Sequence, residues 1–220
     1  MGFLSVLGMA QRLVKERVSP GDAVIDATCG NGVDTQFLAE LVGQRGAVYA
    51  FDVQAEALER TRLRVAGAWP AGAGGGETTE GGTSPSAAGP GAAGKGEGEA
   101  GPLRLVHANH AEMDEHVAEA HRGRIAAAMF NLGYLPGADQ AVITEPASTL
   151  AALEAAVALL RPGGIVTAVL YPGHPGGREE ADAVSAWAAS LPQAAGQAMQ
   201  YRMVQKAQAP YLIAIETRKA

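Results

Sequence analysis

Two carboxylates and two glycines at fixed spacing carry the clearest chemistry in this sequence. Asp26 stands four residues ahead of the first glycine in Asp26-Ala-Thr-Cys-Gly30-Asn-Gly32, and Asp52 follows Gly32 by twenty positions. Glycines spaced this way let the backbone take positive φ and approach a ligand closely. A carboxylate at the end of the next strand can accept hydrogen bonds from both hydroxyls of a ribose. The set therefore suits a small polar ligand of nucleotide type. A dinucleotide fingerprint needs a third glycine where Thr35 stands, which places a nicotinamide enzyme last among the readings. Cys29, inside the turn, could be read as a nucleophile, but a small residue packed under a ligand is the preferred role. Further along, Asn109, Asn131 and Tyr171 each follow an apolar run, and His174 sits in a Pro-Gly-His-Pro loop.

The elements that must position these residues alternate. Residues 23–27 read as a short buried strand and residues 35–42 as a helix, and residues 47–51 form a strand that ends in Asp52. Residues 54–66 read as a helix with Ala55, Leu58, Leu63 and Val65 inward and Glu56, Glu59, Arg60, Arg62 and Arg64 outward. Strands follow at 103–106, 125–130 and 165–170. A helix over 144–160 has Thr144 as N-cap and Pro146 in its first turn, and Arg161-Pro-Gly-Gly164 closes it. Residues 177–190 are helical, and 198–205 with 211–216 pair as a terminal hairpin. Strands alternating with helices imply right-handed βαβ units, with ligands at the carboxyl ends of the strands. Asp26, Asp52, Asn109, Asn131 and Tyr171 all fall at such ends.

The 220 residues suffice for one domain with a sizeable core, and residues 1–220 are read as one. Residues 67–102 break the pattern. They are rich in Gly and Ala, with Ser, Thr, Glu and Pro, and have too little apolar content to offset the entropy of ordering, so a disordered surface insertion is expected. With 17 basic and 23 acidic residues the net charge is −6, which provides no overall basic footprint for nucleic acid, although a local patch could still steer one. One cysteine excludes an internal disulfide and fits a reducing cytoplasm. No run of about 20 apolar residues is present. Residues 2–18 form an amphipathic helix rather than a secretory signal, and its exposed apolar side is compatible with a homodimer. No His, Cys, Asp and Glu spacing suggests a metal: His107 and His110 lack a third ligand.

The D-x-x-x-G-x-G pattern resembles motif I of class I methyltransferases that use S-adenosylmethionine (SAM). The wider set resembles one small family within that class. Its motifs here are Asp26-Ala-Thr-x-Gly-Asn-Gly-x-Asp-Thr35, Ala50-Phe-Asp-Val-Gln54, Met129-Phe-Asn-Leu-Gly-Tyr-Leu-Pro-Gly137, Tyr171-Pro-Gly-His174 with Gly177 and Glu179-Glu180, and Pro210-Tyr-Leu-Ile-Ala-Ile-Glu216. That family was long labelled as rRNA methylases and is now associated with methylating the aminomethyl group of 5-aminomethyl-2-thiouridine at the tRNA wobble position.

The resemblance implies a Rossmann-like α/β fold with a seven-stranded, mostly parallel sheet, helices on both faces and a C-terminal antiparallel hairpin. It implies SAM as cofactor, held by Asp26, Thr28, Gly30, Asn31, Gly32, Asp34, Thr35, Asp52, Gln54, Asn109 and His110. Asn131, Tyr134 and His174 are the catalytic candidates, and a tRNA anticodon stem-loop is the implied partner. Asn131 to Tyr134 matches the Asn-Pro-Pro-Tyr loop of amino-group methyltransferases only at its first and last positions. Gln208-Ala-Pro210 departs from an Asn-rich approach to a Pro-Pro pair. The acidic charge keeps an rRNA or small-molecule acceptor as the alternative, and a non-enzymatic SAM-binding protein is a further one. A histidine in a Gly/Pro loop is more often structural than catalytic, His110 divides evenly between an adenine contact and a structural bond, and His107, His116 and His121 are expected at the surface or at helix ends.

Overall fold

The computed structural model describes residues 2–66, 79–80, 102–133, 146–206 and 208–218. In chain order, α1 (Val6–Lys15) leads into β1 (Ala23–Asp26), α2 (Val33–Val42), β2 (Ala47–Asp52) and α3 (Ala55–Val65). A two-residue strand, β3 (Thr79–Glu80), precedes β4 (Leu103–His107), the one-turn α4 (Met113–His116) and β5 (Ile125–Leu132). Then come α5 (Pro146–Leu159), β6 (Leu160–Leu170), α6 (Gly177–Ser190), β7 (Gly196–Arg202) and β8 (Tyr211–Thr217).

The strands order as β3-β4-β2-β1-β5-β6-β8-β7. All neighbours are parallel except β8, which runs antiparallel to both β6 and β7. Seven strands match the Rossmann-like expectation, terminal hairpin included, and β3 adds a short edge beside Val106 and His107. The chain winds outward from β1 through β2 and β4, then returns to the other side of β1 at β5. Such a reversal opens a crevice at the carboxyl ends of the central strands, where doubly wound sheets bind ligands.

Two apolar layers sandwich the sheet. On one face Ile25, Tyr49, Phe51 and Phe130 pack with Met113, Leu153, Ala156 and Val184 from α4, α5 and α6. On the other, Val24, Val48 and Met129 pack with Ala10, Val14, Leu38, Val42 and Val65 from α1, α2 and α3. The alternation of Ile25 and Val24 along β1 is the two-residue period of a strand buried on both sides.

At the amino end of the parallel strands, Arg161 makes a fork to Asp22, Nη1 to Oδ1 at 2.7 Å and Nη2 to Oδ2 at 3.0 Å, and Nη2 also donates to the Arg17 carbonyl at 2.8 Å. Arg17 in turn reaches Glu216 at 2.7 Å. This half-buried clamp ties α1, β1, β6 and β8 together on the side away from the crevice.

Several boundaries and one helix face differ from expectation. The first crossover helix begins at Val33, two residues early, because Gly32 in the left-handed region (φ 75°) serves as its cap. In α3 the buried positions are Ala57, Leu58, Thr61 and Val65, whereas Leu63 is 61 % exposed and Ala55 faces solvent. A helix with so few apolar residues gives a weak stripe, and the small Ala57 and Thr61 fit closer to α2 than Leu63 could. Arg161-Pro-Gly-Gly164 is a bulge inside β6 rather than a closing turn, since Ile125 pairs with Leu160 and Ala127 already with Ile165. Gly164 suits this crossing: a Cβ there would lie 2.9 to 3.2 Å from three carbonyl oxygens. The Thr144 cap lies outside the described residues, and α5 starts at Pro146. Most of the 67–102 insertion also lies outside them; at its end the Pro102 carbonyl accepts from Val48 at 2.6 Å. Among the described residues no helix is long and apolar enough to cross a membrane.

Candidate functional site

The turn after β1 is held from three directions. Asp26, 1 % exposed, accepts the Thr35 hydroxyl at 2.6 Å and the Thr28 N–H at 3.2 Å. Thr28 Oγ1 accepts the Asn131 N–H at 2.8 Å, which locks the end of β1 to the end of β5. Gly30 donates its N–H to Asp52 at 3.0 Å, joining the turn to β2. Arg60 donates to the Asn31 side chain at 3.3 Å and Arg64 to its carbonyl at 2.6 Å, so these two arginines brace the turn instead of standing as a solvated face.

Gly32 is where this packing is tightest. A Cβ there would sit 2.8 Å from the Thr61 Cα, in addition to the strain of a positive φ. Gly32→Ala is expected to cost about 2–4 kcal/mol from the left-handed backbone and the clash together. That corresponds to a fall of roughly 5–15 °C in the thermal midpoint for a chain of this size, and calorimetry would expose an error if the midpoint held.

Asp52 Oδ1 accepts the Gln54 N–H at 2.9 Å, so both carboxylate oxygens are aimed by backbone donors while retaining lone pairs for a ligand. Asn109 caps the short turn after β4 by accepting the Ala111 N–H at 2.9 Å. His110 is 7 % exposed and lies against Phe130, with ring centroids 5.9 Å apart. Burial lowers its pKa, favouring the neutral ring, and these contacts agree with a structural role. His107 bonds to the Val53 carbonyl beside Asp52, its neighbour in the β2–β4 register, whereas His121 bonds to the Tyr49 hydroxyl.

Electrostatics separate this corner from an ordinary glycine turn. Burial, then the neighbouring charge of Asp34, then that of Asp52 push Asp26 up to about 7 against the pull of the Thr35 and Thr28 bonds. Burial also raises Asp34, opposed by its 3.0 Å bond from Gln11, and raises Asp52, opposed by its backbone donors. No salt bridge joins any of the three to Lys or Arg among the described residues. One buried acid, Asp26, and two half-buried ones, Asp34 and Asp52, with no Lys or Arg ion pair among the described residues, make a pocket that favours a cation. The Cys29 thiol is buried and its pKa raised by desolvation, first of all, and by Asp26, so it is a packed thiol and not a nucleophile.

On the other side of the crevice, Tyr171 donates its hydroxyl to Asn131 Oδ1 at 2.7 Å. The Tyr171 ring lies over Gly133, where a Cβ would come within 3.2 Å of it, and 5.7 Å from the His174 ring. Burial and the charge of Asp34 raise the Tyr171 pKa, which keeps the phenol a donor. Asn131, Tyr171 and His174 thus come together at the ends of β5 and β6. Tyr134 lies outside the described residues. Sequence reasoning placed Tyr171 with the other strand-end residues but gave it no catalytic role, and it missed Thr61 and Gln11.

Two family models match this chain. One, described as "Methyltransferase domain", covers residues 18–66, which hold the glycine turn and Asp52. The other, described as "Putative rRNA methylase", covers residues 93–216, more than half of the sequence. The chain belongs to this rRNA methylase family. Within reach of the family stands the "tRNA (mnm(5)s(2)U34)-methyltransferase, chloroplastic" of Arabidopsis thaliana, 37 % identical over 201 residues. That match takes in 89 % of this chain and 63 % of the longer relative. A "putative rRNA-methylase" from Clostridium thermocellum superimposes with a TM-score of 0.80 at 31 % identity, over 99 % of this chain and all of that one. A "putative methyltransferase" from Streptococcus mutans, in complex with SAH, does so with 0.75 at 29 %, over 98 % and 99 %. The rRNA methylase family member described here therefore has the Rossmann-like methyltransferase fold throughout its described residues.

Proposed function

We propose that this chain is a SAM-dependent N-methyltransferase that methylates the aminomethyl group of 5-aminomethyl-2-thiouridine at the tRNA wobble position, in the cytoplasm. The observation that carries the cofactor reading is the acid pocket of Asp26, Asp34 and Asp52, without a Lys or Arg ion pair among the described residues, around a turn whose Gly32 has no room for a Cβ. SAM fits it, with a ribose for Asp52 and an ammonium and a sulfonium for a negative pocket. The Arabidopsis relative supplies the acceptor class, and the structure with SAH in the same fold supports the cofactor.

Bound there, SAM supplies an activated methyl group, and the acceleration comes from positioning and electrostatics. An alkylamine with a pKa of about 10.4 is only about 0.04 % neutral at pH 7, so the protein must favour its neutral form. Tyr171 fills one lone pair of Asn131 Oδ1 and thereby fixes the amide, leaving the second lone pair to accept an amine N–H and orient the nitrogen. His174, one loop away, receives the proton in this reading. His174→Ala should then slow single turnover most near pH 7 and progressively less toward pH 9; a loss independent of pH would mark a structural histidine.

Asp26 gives the pocket a pH signature. A folded pKa near 7, against about 3.9 in the unfolded chain, means that its contribution to stability is complete below about pH 4 and is lost as pH rises through 7. The ligand-free protein is expected to lose stability over that window, and Asp26→Asn to flatten the curve in thermal melts. A cationic ligand prefers the ionised form, so SAM affinity should rise from pH 5.5 to 7 and rise less in Asp26→Asn. The acceptor is tested by treating tRNA from a strain lacking the gene with the protein and SAM, then identifying nucleosides by mass spectrometry. Absence of a new methylaminomethyl nucleoside would reject the tRNA assignment.

A further inference from the structure

A protein of net charge −6 that takes RNA needs a local device to hold phosphates. Its cations are unevenly placed. Arg45 precedes β2, Arg124 precedes β5, Arg161 opens β6 and Arg218 follows β8, all at the amino end of the parallel strands, away from the crevice. At the carboxyl end, Arg60 and Arg64 are engaged by Asn31, and Arg202 lies over the Tyr211 ring at 5.3 Å. Arg178 and Lys206 remain, exposed, with no ion pair among the described residues.

These two line one open cleft of about 510 Å³ together with Gln208 and Ala209. Arg178 is the second residue of α6, a 14-residue helix whose cap, Gly176, makes no side-chain bond to the first turn, so the positive end of the helix faces the same region. Of the two glutamates that follow, Glu180 is buried and accepts the Thr149 hydroxyl at 2.6 Å, and neither lines the cleft. The cleft adjoins the acceptor side of the site: a Cβ on Gly173, in the loop between Tyr171 and His174, would lie 3.3 Å from the Gln208 carbonyl oxygen.

We propose that this cleft between the start of α6 and the β7–β8 turn is a phosphodiester subsite, in which Arg178, Lys206 and Gln208 hold the backbone of the RNA substrate beside Asn131. It rests on the tRNA reading above and adds to it where the polyanion lies. The cleft is larger than one phosphate needs and falls within the roughly 300–1,000 Å³ of ligand pockets, so it has room for a nucleotide unit. Gln208 supplies amide donors and an acceptor for the sugar or base next to the phosphate.

The test compares two doubly substituted proteins with equal loss of charge, Arg178→Ala/Lys206→Ala and Arg45→Ala/Arg124→Ala, using full-length chains with SAH present. Binding of a tRNA anticodon stem-loop is measured by fluorescence anisotropy from 50 to 300 mM salt. The first variant is expected to bind at least tenfold more weakly, and its slope of log affinity against log salt to shrink by about 1.4, the value for two lost phosphate contacts on a single strand. The second should stay within about twofold of wild type, and both should keep the wild-type SAH affinity and thermal midpoint. Equal weakening by both pairs would mean that only overall charge matters and would overturn the subsite. Unchanged binding and slope in the first variant, while the wild type binds and methylates RNA, would also overturn it and leave the tRNA reading intact. A wild type that binds no RNA would reject both.

Discussion

Asn131→Ala is expected to slow methyl transfer by about 10²–10³-fold while leaving SAM affinity within about twofold of wild type, the size of effect seen when a single preorganised polar group at a reacting centre is removed. The separation follows from the two ends of the residue. Its backbone N–H, bonded to Thr28 at 2.8 Å, ties the cofactor turn to β5, and alanine keeps it. Its side chain faces Tyr171 on the acceptor side and is lost. Tyr171→Phe frees the amide to rotate without removing it, so a smaller loss of roughly tenfold is expected, in line with one hydrogen bond of about 1–1.5 kcal/mol. Single-turnover rates and calorimetric SAM affinities measured on the same preparations decide the matter. Equal losses in rate and affinity for Asn131→Ala would assign it to the cofactor pocket instead.

Asp52→Ala should have the opposite profile. Two ribose hydroxyls donating to a carboxylate contribute about 1.5–3 kcal/mol each, so SAM affinity is expected to fall by at least about 10²-fold. The Gly30 and Gln54 N–H groups lose their acceptor at the same time, and Gly30 links the turn to β2. Asp52→Asn separates the two effects, because its amide oxygen can still accept from one backbone donor. Isothermal titration that returned near wild-type affinity for Asp52→Ala would remove this residue from the ribose site. Once saturated with SAM, the variant should transfer methyl groups at a rate much closer to wild type than Asn131→Ala does.

What the sequence made legible was local. Asp26, Gly30, Gly32 and Asp52 lie on one strand–turn–helix–strand unit, where the spacing alone dictates which backbone must bend and which carboxylate ends a strand. The alternation of strand and helix likewise sufficed for the Rossmann-like architecture and its terminal hairpin. Pairings between distant elements were not legible, because Tyr171 is 40 residues from Asn131 and Gln11 is 23 from Asp34; only the packed fold brings them together. The bracing of Asn31 by Arg60 and Arg64 had the same obstacle, and an Arg-rich helix face reads as solvated whenever its partner is a loop on another element. In α3 the signal itself misled: leucine outranks threonine on any hydropathy scale, yet Thr61 faces Gly32 and Leu63 faces water.

The clamp at the amino end of the sheet has a consequence for synthesis. Ala10 and Val14 of α1 are buried against Leu212 and Ala214 of β8, and Arg17 bonds Glu216 across 199 positions of chain. Although α1 also rests on α2 and β6, its apolar face is not fully covered until β8 has been made. At about 5–20 residues per second those 199 positions take on the order of 10–40 s, during which part of the apolar stripe of α1 is open to chaperones or to a neighbouring nascent chain.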